Sequence, residues 1–594
     1  MVKKMIFGEF VAQNIKKYIA GIAALVASSI VQLTLPKILG IIIDNLKEQS
    51  KQKKEIALIT LVFLLASILL FGLKYLWRFF IMGRARHLEC FLRAKLFAHL
   101  QTLSPKFYND KKTGDLMAYA INDIGAIRHA SAFGLVFLID GIIINVASLL
   151  VMVKTINVML TFWAMLPLMA AIIIIFKLGD VIKDRFIHVQ ESYSKLSGEI
   201  QENISGIRVI KAFCQEDEEI KNLKKSSLQR METQMEYIRL SSLLGPLVQI
   251  CFGLSFAITL VLGSHMVFSG RISLGDFIAF NTYLGLLTGP VSNIGRIVEV
   301  WQRALASAKR LDEIFNVKSD FEHDNQLGED DGCENKHLRL AGEIKINNLS
   351  FCYPNTSRRV LKDISLEIPQ GKTLGIAGKT GSGKTTLINL LLRLYEVERG
   401  KIFIDGVDIN DIPLSVLREN IGYVPQDNFL FSAPIKENIK FFSEKYSEDE
   451  VEEAARMSCV YENIIDFPEG FETVVGERGI TLSGGQKQRV SIARAIIKDP
   501  SILILDDSLS AVDASTEEQI LKNIKQILRG RTGIIIANRI SAIRHSDEII
   551  FLDKGKIVER GTHDDLIKIK GRYYGLYCAQ SEEHELESTE EGAV

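Results

Sequence analysis

Gly378-Lys379-Thr380-Gly381-Ser382-Gly383-Lys384-Thr385 is a glycine-rich run that ends in a lysine and a hydroxyl. Glycines at this spacing let backbone amides turn toward an anion, the lysine reaches outer phosphates, and the hydroxyl after it can ligate magnesium. An apolar run, Leu374 to Ala377, precedes the loop, and the leucine-rich stretch Thr386 to Tyr395 follows it at helical spacing. The context is strand, loop, helix, with the positive helix end facing the anion. Further on, Ile502-Leu503-Ile504-Leu505-Asp506-Asp507 is an apolar strand ending in two carboxylates. Beside a phosphate loop, that pair is the material of a nucleotide site.

Five more elements stand in a fixed order around these two. Tyr353 lies in Phe351-Cys352-Tyr353-Pro354, and Gln426 lies in Val424-Pro425-Gln426-Asp427. Leu482-Ser483-Gly484-Gly485-Gln486 is followed by Gln488-Arg489 and Ala493-Arg494-Ala495, then come Ser510-Ala511-Val512-Asp513 and Ile536-Ala537-Asn538-Arg539-Ile540-Ser541. Each alone is weak, since a tyrosine before proline is usually a turn residue and a lone glutamine a solvated one. In this order they resemble the ATP-binding cassette (ABC) family.

The resemblance implies ATP and Mg2+ as cofactors. It implies ATP contacts from Tyr353 on adenine, from Gly378, Thr380, Gly381, Ser382, Gly383, Lys384, Thr385 and Thr386 on the phosphates, and from the signature Ser483, Gly484, Gly485 and Gln486. It implies metal contacts from Thr385, Gln426 and Asp506. Catalytic roles fall to Asp507, Asn538 and Gln426. In the family the Asp507 position is a glutamate that activates water, and the Asn538 position is a histidine near the terminal phosphate. Aspartate is one methylene shorter, and misplacement on that scale costs on the order of a hundredfold in rate. Asparagine cannot carry positive charge toward the developing phosphoryl charge. The expectation is a site that binds ATP and hydrolyses it slowly.

The rest of the chain must position this site. Its 594 residues carry 71 basic and 71 acidic side chains, so net charge points to no nucleic acid partner. Before about residue 305 there are apolar stretches at Ile19 to Ile43, Ile56 to Met82, Ala130 to Val153, Ile156 to Phe176, Leu243 to Phe268 and Phe277 to Val300. A helix needs roughly 20 apolar residues to span a bilayer, so these are six candidate spans among membrane lipids. Met5 to Lys17 reads as a separate amphipathic helix at the cytoplasmic interface. Lysine and arginine are dense between the second and third spans and between the fourth and fifth, which places those loops and the N-terminus in the cytosol; Lys47, Lys51, Lys53 and Lys54 in the first loop run against that topology. Seven cysteines are scattered singly, without disulfide or metal spacing.

The fold expected is an all-α membrane domain of six helices fused to a cytosolic α/β phosphate-loop nucleotide-binding domain. Its boundaries are 1–315 for the membrane domain, 316–342 for a polar, acid-rich linker, 343–580 for the nucleotide-binding domain and 581–594 for an acidic tail expected to be disordered.

The membrane half also resembles ABC exporters, at Leu35 to Gly40 with Ile43-Asp44, at Phe107-Tyr108 with Thr113 to Leu116 and Asn122-Asp123, and at Glu202, Gly206 and Lys211-Ala212-Phe213. In the family the last two are coupling segments on helices that run past the membrane. Within the family the chain most resembles the degenerate half of bacterial heterodimeric multidrug exporters, although that group usually keeps the histidine that Asn538 replaces. The resemblance implies a second half-transporter as partner, supplying a competent glutamate and histidine opposite Leu482 to Gln486, and a small amphipathic substrate. Lipid or peptide export by the same engine, and an ATP-binding sensor or gated protein, stay open as alternatives. Asp140, Arg296 and Glu299 are ionisable at membrane depth, which marks either a transport path or inter-helix ties, and Asn145, Gln249, Asn281 and Tyr283 carry the same two readings.

Overall fold

The computed structural model describes residues 2–48, 53–318, 339–354, 356, 358–476 and 482–591. The chain divides into two units, Met1–Gln101 with Lys112–Val317, and Thr102–Lys111 with Lys318–Val594. Most of the expected linker, together with Cys333 and the loop residue Lys51, lies outside the described residues.

The first unit is helical throughout. Helix α1 is Val2–Glu48, α2 Lys53–Thr102, α3 Thr113–Lys154 and α4 Val158–Ser205. After the short α5, Ile207–Ala212, come α6, Glu216–Phe268, α7, Leu274–Ser292, and α8, Ile294–Phe315. Among the described residues, five helices are long and apolar enough to cross a membrane. Helix α4 has 48 residues and α6 has 53, so at 1.5 Å per residue they extend about 70 and 80 Å, more than twice the bilayer's hydrocarbon thickness. The excess length carries the polar stretches between the fourth and fifth candidate spans.

Two expectations are corrected here. The amphipathic Met5 to Lys17 is not a separate helix, because α1 runs unbroken from Val2 to Glu48; no proline stands between it and the first span to end the helix. The sixth candidate, Phe277 to Val300, is not one continuous helix but is divided at Asn293, whose N–H reaches back to the carbonyls of Gly289, Pro290 and Val291. Pro290 lacks the N–H that would continue the ladder, and Asn281, Thr282 and Tyr283 dilute the apolar run.

Helix α7 is nonetheless packed inside the unit. Phe280, Tyr283, Leu284 and Leu287 are buried against Leu160, Leu168 and Leu33. Tyr283 Oη donates to Leu33 O at 2.7 Å and Asn281 Nδ2 to Phe277 O at 3.0 Å, so the first ties two helices and the second ties its own. Gly40 and Gly275 let α1 and α7 meet backbone to backbone, since a Cβ on Gly40 would lie 2.7 Å from Gly275 O. Asp44 locks that crossing by accepting from Ser273 Oγ at 2.6 Å and Gly275 N at 2.7 Å. Asp140 accepts from Ser29 Oγ at 2.6 Å, joining α3 to α1. Arg296, Glu299 and Gln249 are exposed and Asn145 is half-buried.

The second unit holds two sheets. One has the order β2-β1-β4-β5, with β1 Ile344–Cys352, β2 Arg359–Ile368, β4 Ile402–Ile404 and β5 Val407–Asp408. The other has the order β10-β9-β3-β8-β7-β6, with β3 Thr373–Gly378, β6 Ile421–Val424, β7 Ile502–Asp506, β8 Thr532–Ile536, β9 Glu548–Asp553 and β10 Lys556–Gly561. From β9 to β6 the pairing is parallel. Strands β7 and β8 are buried at every residue, which is why they read as unbroken apolar runs. Beyond the sheet, α13, Arg572–Glu591, is a helix, so the tail expected to be disordered is helical as far as Glu591.

Candidate functional site

Strand register assembles the site. Ile536 of β8 pairs with Ile376 of β3 on one side and with Asp506 of β7 on the other. Gly378, Asp506 and Asp507, and Asn538 therefore leave the sheet at one edge, beyond the carboxyl ends of parallel strands, where such sheets bind ligands.

The phosphate loop turns sharply there. Gly378, Gly381 and Gly383 have φ of 150°, 78° and 106°, conformations that side chains resist. A Cβ on Gly378 would sit 2.3 Å from Leu552 O and 2.9 Å from Ser382 Oγ. Helix α9, Lys384–Leu391, starts directly from the loop. Lys384 Nζ donates to Gly378 O at 2.6 Å and Lys379 O at 3.2 Å, curling over the loop. Burial lowers its pKa, an effect opposed by the nearby Asp507 and Asp506 carboxylates. Thr380 and Gly381 are exposed at the tip. Ser382 is buried, and its Oγ has no hydrogen-bond partner.

Asp506 is buried, with its pKa raised by burial and by Asp507, and lowered by a hydrogen bond from Thr385. Its Oδ2 is left without a partner. A buried carboxylate oxygen without a partner is costly unless a cation completes it. These residues therefore fit magnesium. The unpaired Ser382 hydroxyl and the crowded glycine cradle fit a phosphate chain.

The two residues that depart from the family pattern are bonded to each other. Asn538 Nδ2 donates to Asp507 Oδ2 at 3.0 Å, and its backbone N to Oδ1 at 3.4 Å. Asn538 Oδ1 in turn accepts from Lys384 Nζ at 3.4 Å. Asp507 adopts φ of 48°, and its own N–H donates to Ile536 O at 2.9 Å.

Other candidates are placed less tightly. Tyr353 Oη and Thr386 Oγ1 share a hydrogen bond of 3.0 Å, and the Tyr353 ring meets Tyr395 edge-on at 5.1 Å. Gln426 is exposed at the end of β6, and the structure gives its side chain no bond to the carboxylates.

The signature opens helix α10, Gly484–Ile496. Ser483 caps it reciprocally with Gln486: Gln486 N donates to Ser483 Oγ at 3.3 Å and Ser483 N to Gln486 Oε1 at 2.9 Å. Gly485 is required by proximity, since a Cβ there would lie 2.8 Å from Ala511 O. Gln488, which is buried, donates to Ser510 Oγ at 3.2 Å and accepts from Ala511 N at 3.0 Å. The signature helix and the loop after Asp507 are thus one mechanical piece. Asp513 caps the next helix, α11, Ala514–Ile527, by accepting from Thr516 N and Ser515 Oγ, and these bonds hold its carboxyl down to about 2.

Three features had no signal in the motifs. The mutual bond of Asp507 and Asn538 needs two adjacent strands, the Gln488 bridge needs a helix–loop contact, and Gln580 of α13 bonds the backbone of the Asn538 loop at 2.7 and 2.9 Å.

Comparison with known proteins agrees with this geometry. Residues 18–291 match the ABC transporter transmembrane region family and residues 361–510 the ABC transporter family. A probable multidrug resistance ABC transporter ATP-binding/permease protein, YheI of Bacillus subtilis, is 38% identical over 97% of each chain. The multidrug resistance-like ATP-binding protein MdlA of Escherichia coli is 34% identical over 97% of this chain and 96% of its own. An ATP-dependent lipid A-core flippase of Syntrophus aciditrophicus is 32% identical over 95% of this chain and 91% of its own. The structure of a bacterial Atm1-family ABC exporter with ATP bound superposes with a TM-score of 0.75 at 25% identity, covering 96% of this chain and 98% of that one. With a helical membrane unit, a phosphate-loop unit and full-length relatives, the chain belongs to the ABC transporter family as an ATPase-coupled, multi-pass exporter of the cell membrane.

Proposed function

We propose that this chain is one half of a heterodimeric exporter that moves amphipathic compounds across the cytoplasmic membrane, and that its own nucleotide site binds ATP and hydrolyses it slowly. The observation that carries the second part is the Asn538–Asp507 hydrogen bond. A general base must reach the water it activates; here the carboxylate is one methylene shorter than a glutamate's, and the side chain bonded to it is an amide that cannot take the place of an imidazolium.

In this reading the membrane domain is 1–315, the linker 316–342, the nucleotide-binding domain 343–580 and the tail 581–594. Tyr353 stacks on adenine. Gly378, Thr380, Gly381, Ser382, Gly383, Lys384 and Thr386 hold the phosphates, while Thr385, Asp506 and Gln426 hold magnesium, which when bound neutralises charge on the outer phosphates. Asp507, Asn538 and Gln426 face the reacting end. Ser483, Gly484, Gly485 and Gln486 act on the partner's ATP, because a capped helix start with backbone donors favours an anion and the chain's own phosphate loop ends on a different helix.

A second chain is supported by apolar surface in both units. Ile204, Val209 and Phe213 around α5 are 68%, 61% and 71% exposed, and the aromatic group Phe429, Phe431, Phe441 and Phe442 is 38–55% exposed. Exposed clusters of this kind mark contact surfaces.

The multidrug reading is supported by the similarity to the multidrug resistance proteins YheI and MdlA. The similarity to a lipid A-core flippase favours a second reading, a lipid as cargo for the same engine. The test is to purify the chain with a second half-transporter that co-assembles with it, and to measure ATPase stimulation by amphipathic cations and by lipids. Stimulation confined to lipids overturns the multidrug reading, and full activity of this chain without a partner overturns the heterodimer.

A further inference from the structure

We infer that Gln580 of the C-terminal helix is a positioning residue for the nucleotide site, fixing the loop that carries Asn538 so that the site tells a triphosphate from a diphosphate. The inference rests on the roles given above to Asn538 and Asp507.

Gln580 Nε2 donates to Asn538 O at 2.7 Å, and its Oε1 accepts from Ile540 N at 2.9 Å. The two bonds fall on either side of Arg539, so a single planar amide sets the backbone direction at the point where Asn538 leaves β8. A primary amide can donate and accept at once; a carboxylate can only accept. The side chain of Asn538 then meets Asp507 Oδ2 at 3.0 Å and Lys384 Nζ at 3.4 Å. The loop's other anchor is Glu517, which accepts from Arg539 at 3.1 Å and Ser541 at 2.7 Å and leaves the Asn538 carbonyl to Gln580.

The arm that carries Gln580 is itself held to the sheet. Glu559 of β10 accepts from Arg572 N at 2.5 Å and Tyr573 N at 3.0 Å, capping α13, and Arg572 pairs with Asp553. Tyr573 is fully buried, with its hydroxyl 2.8 Å from Nδ1 of His563, the first residue of α12, His563–Ile569. The helix therefore transmits the position of the β9–β10 edge to the Asn538 loop.

In the proposed roles ADP is held by the adenine, phosphate-loop and Lys384 contacts, none of which Gln580 itself touches. ATP adds the terminal phosphate assigned to Asn538, whose link to Lys384 is a single long bond of 3.4 Å, so the loop's position bears chiefly on ATP. With the full chain in lipid nanodiscs, ATP and ADP affinities are measured with magnesium by displacement of a fluorescent nucleotide. Gln580→Ala is expected to weaken ATP about fivefold, the loss of one to two net hydrogen bonds, and to leave ADP unchanged. Gln580→Glu, which keeps the acceptor and loses the donor, should fall between, and Ser581→Ala on the same helix should match the parent. Amide exchange at Ile540 should quicken in Gln580→Ala, which confirms that the loop is released in a folded protein. A parent that prefers ATP together with a Gln580→Ala variant of unchanged preference overturns this inference alone. A parent without any ATP preference overturns the reading of Asn538 and this inference with it. Equal loss of ATP and ADP affinity in Gln580→Ala also overturns it, because that is general destabilisation.

Discussion

The phosphate-loop edge and the signature helix belong to one unit, yet their polar side chains are satisfied in different ways. At the phosphate-loop edge the side chains are turned on one another: Lys384 onto the loop carbonyls, Asn538 onto Asp507, Thr385 onto Asp506. At the signature, Ser483 and Gln486 satisfy each other as a capping box, and the glycines are pressed against Ala511. Under the proposed function the first region holds this chain's own ATP and the second faces the ATP of a partner. Because the residues of the two regions stand on separate elements, Lys384–Leu391 and Gly484–Ile496, a change in one leaves the other's contacts in place.

The strongest way to break that contrast is at the signature. Gly485→Ala or Ser483→Ala should lower ATPase activity of the assembled heterodimer by two orders of magnitude or more, by about 3 kcal/mol of lost stabilisation at the terminal phosphate. Gly485→Ala adds a clash with Ala511 O. Turnover unchanged in both variants would rule out service to a competent partner site.

Next in size is repair of the altered region. With the partner's catalytic glutamate replaced by glutamine, Asp507→Glu together with Asn538→His should raise turnover by about a hundredfold, the lower end of what a positioned acid–base group contributes. Asp507→Glu alone should gain less, since Asn538 still cannot bring positive charge to the terminal phosphate. A double variant as slow as its parent would show that the two residues accompany slow hydrolysis without causing it.

Smaller still is the effect expected for the unpaired chain. Purified alone, it should hydrolyse ATP at a rate near that of the heterodimer carrying the partner's glutamine substitution, because both of its composite sites would contain Asp507 and Asn538. A single-turnover assay decides this, and fast release of phosphate would sink the slow-site reading.

The smallest effect is on the bridge between the regions. Gln488→Ala removes two hydrogen bonds from a buried amide, and should cost about 1–3 kcal/mol of stability in the nucleotide unit while reducing heterodimer turnover severalfold. Thermal unfolding and ATPase assays read the two losses separately.

Much of the fold was legible because its signals are local. Apolar length marks a span whatever surrounds it, and five long helices follow the stretches read from the sequence. The division of the sixth at Asn293 was less legible, since Pro290 and three polar residues weaken a run without saying where it ends. The union of the amphipathic N-terminus with the first span, and the helical tail through Glu591, escaped for the opposite reason: polar composition speaks of solvent exposure and not of whether helix continues.

By itself the sequence determined the chemistry available: a phosphate loop with glycines where the backbone must take positive φ, a carboxylate pair at a strand end, a signature that begins a helix, and two departures at Asp507 and Asn538. Motif spacing can specify these because each is made within a few residues of chain. Only the tertiary structure decided that the departures are one bonded pair 31 residues apart, that Gln488 joins signature to loop, and that Gln580, 42 residues from Asn538, holds its backbone. Those contacts depend on parallel strand register and helix docking, which bring together residues whose separation along the chain carries no local signal.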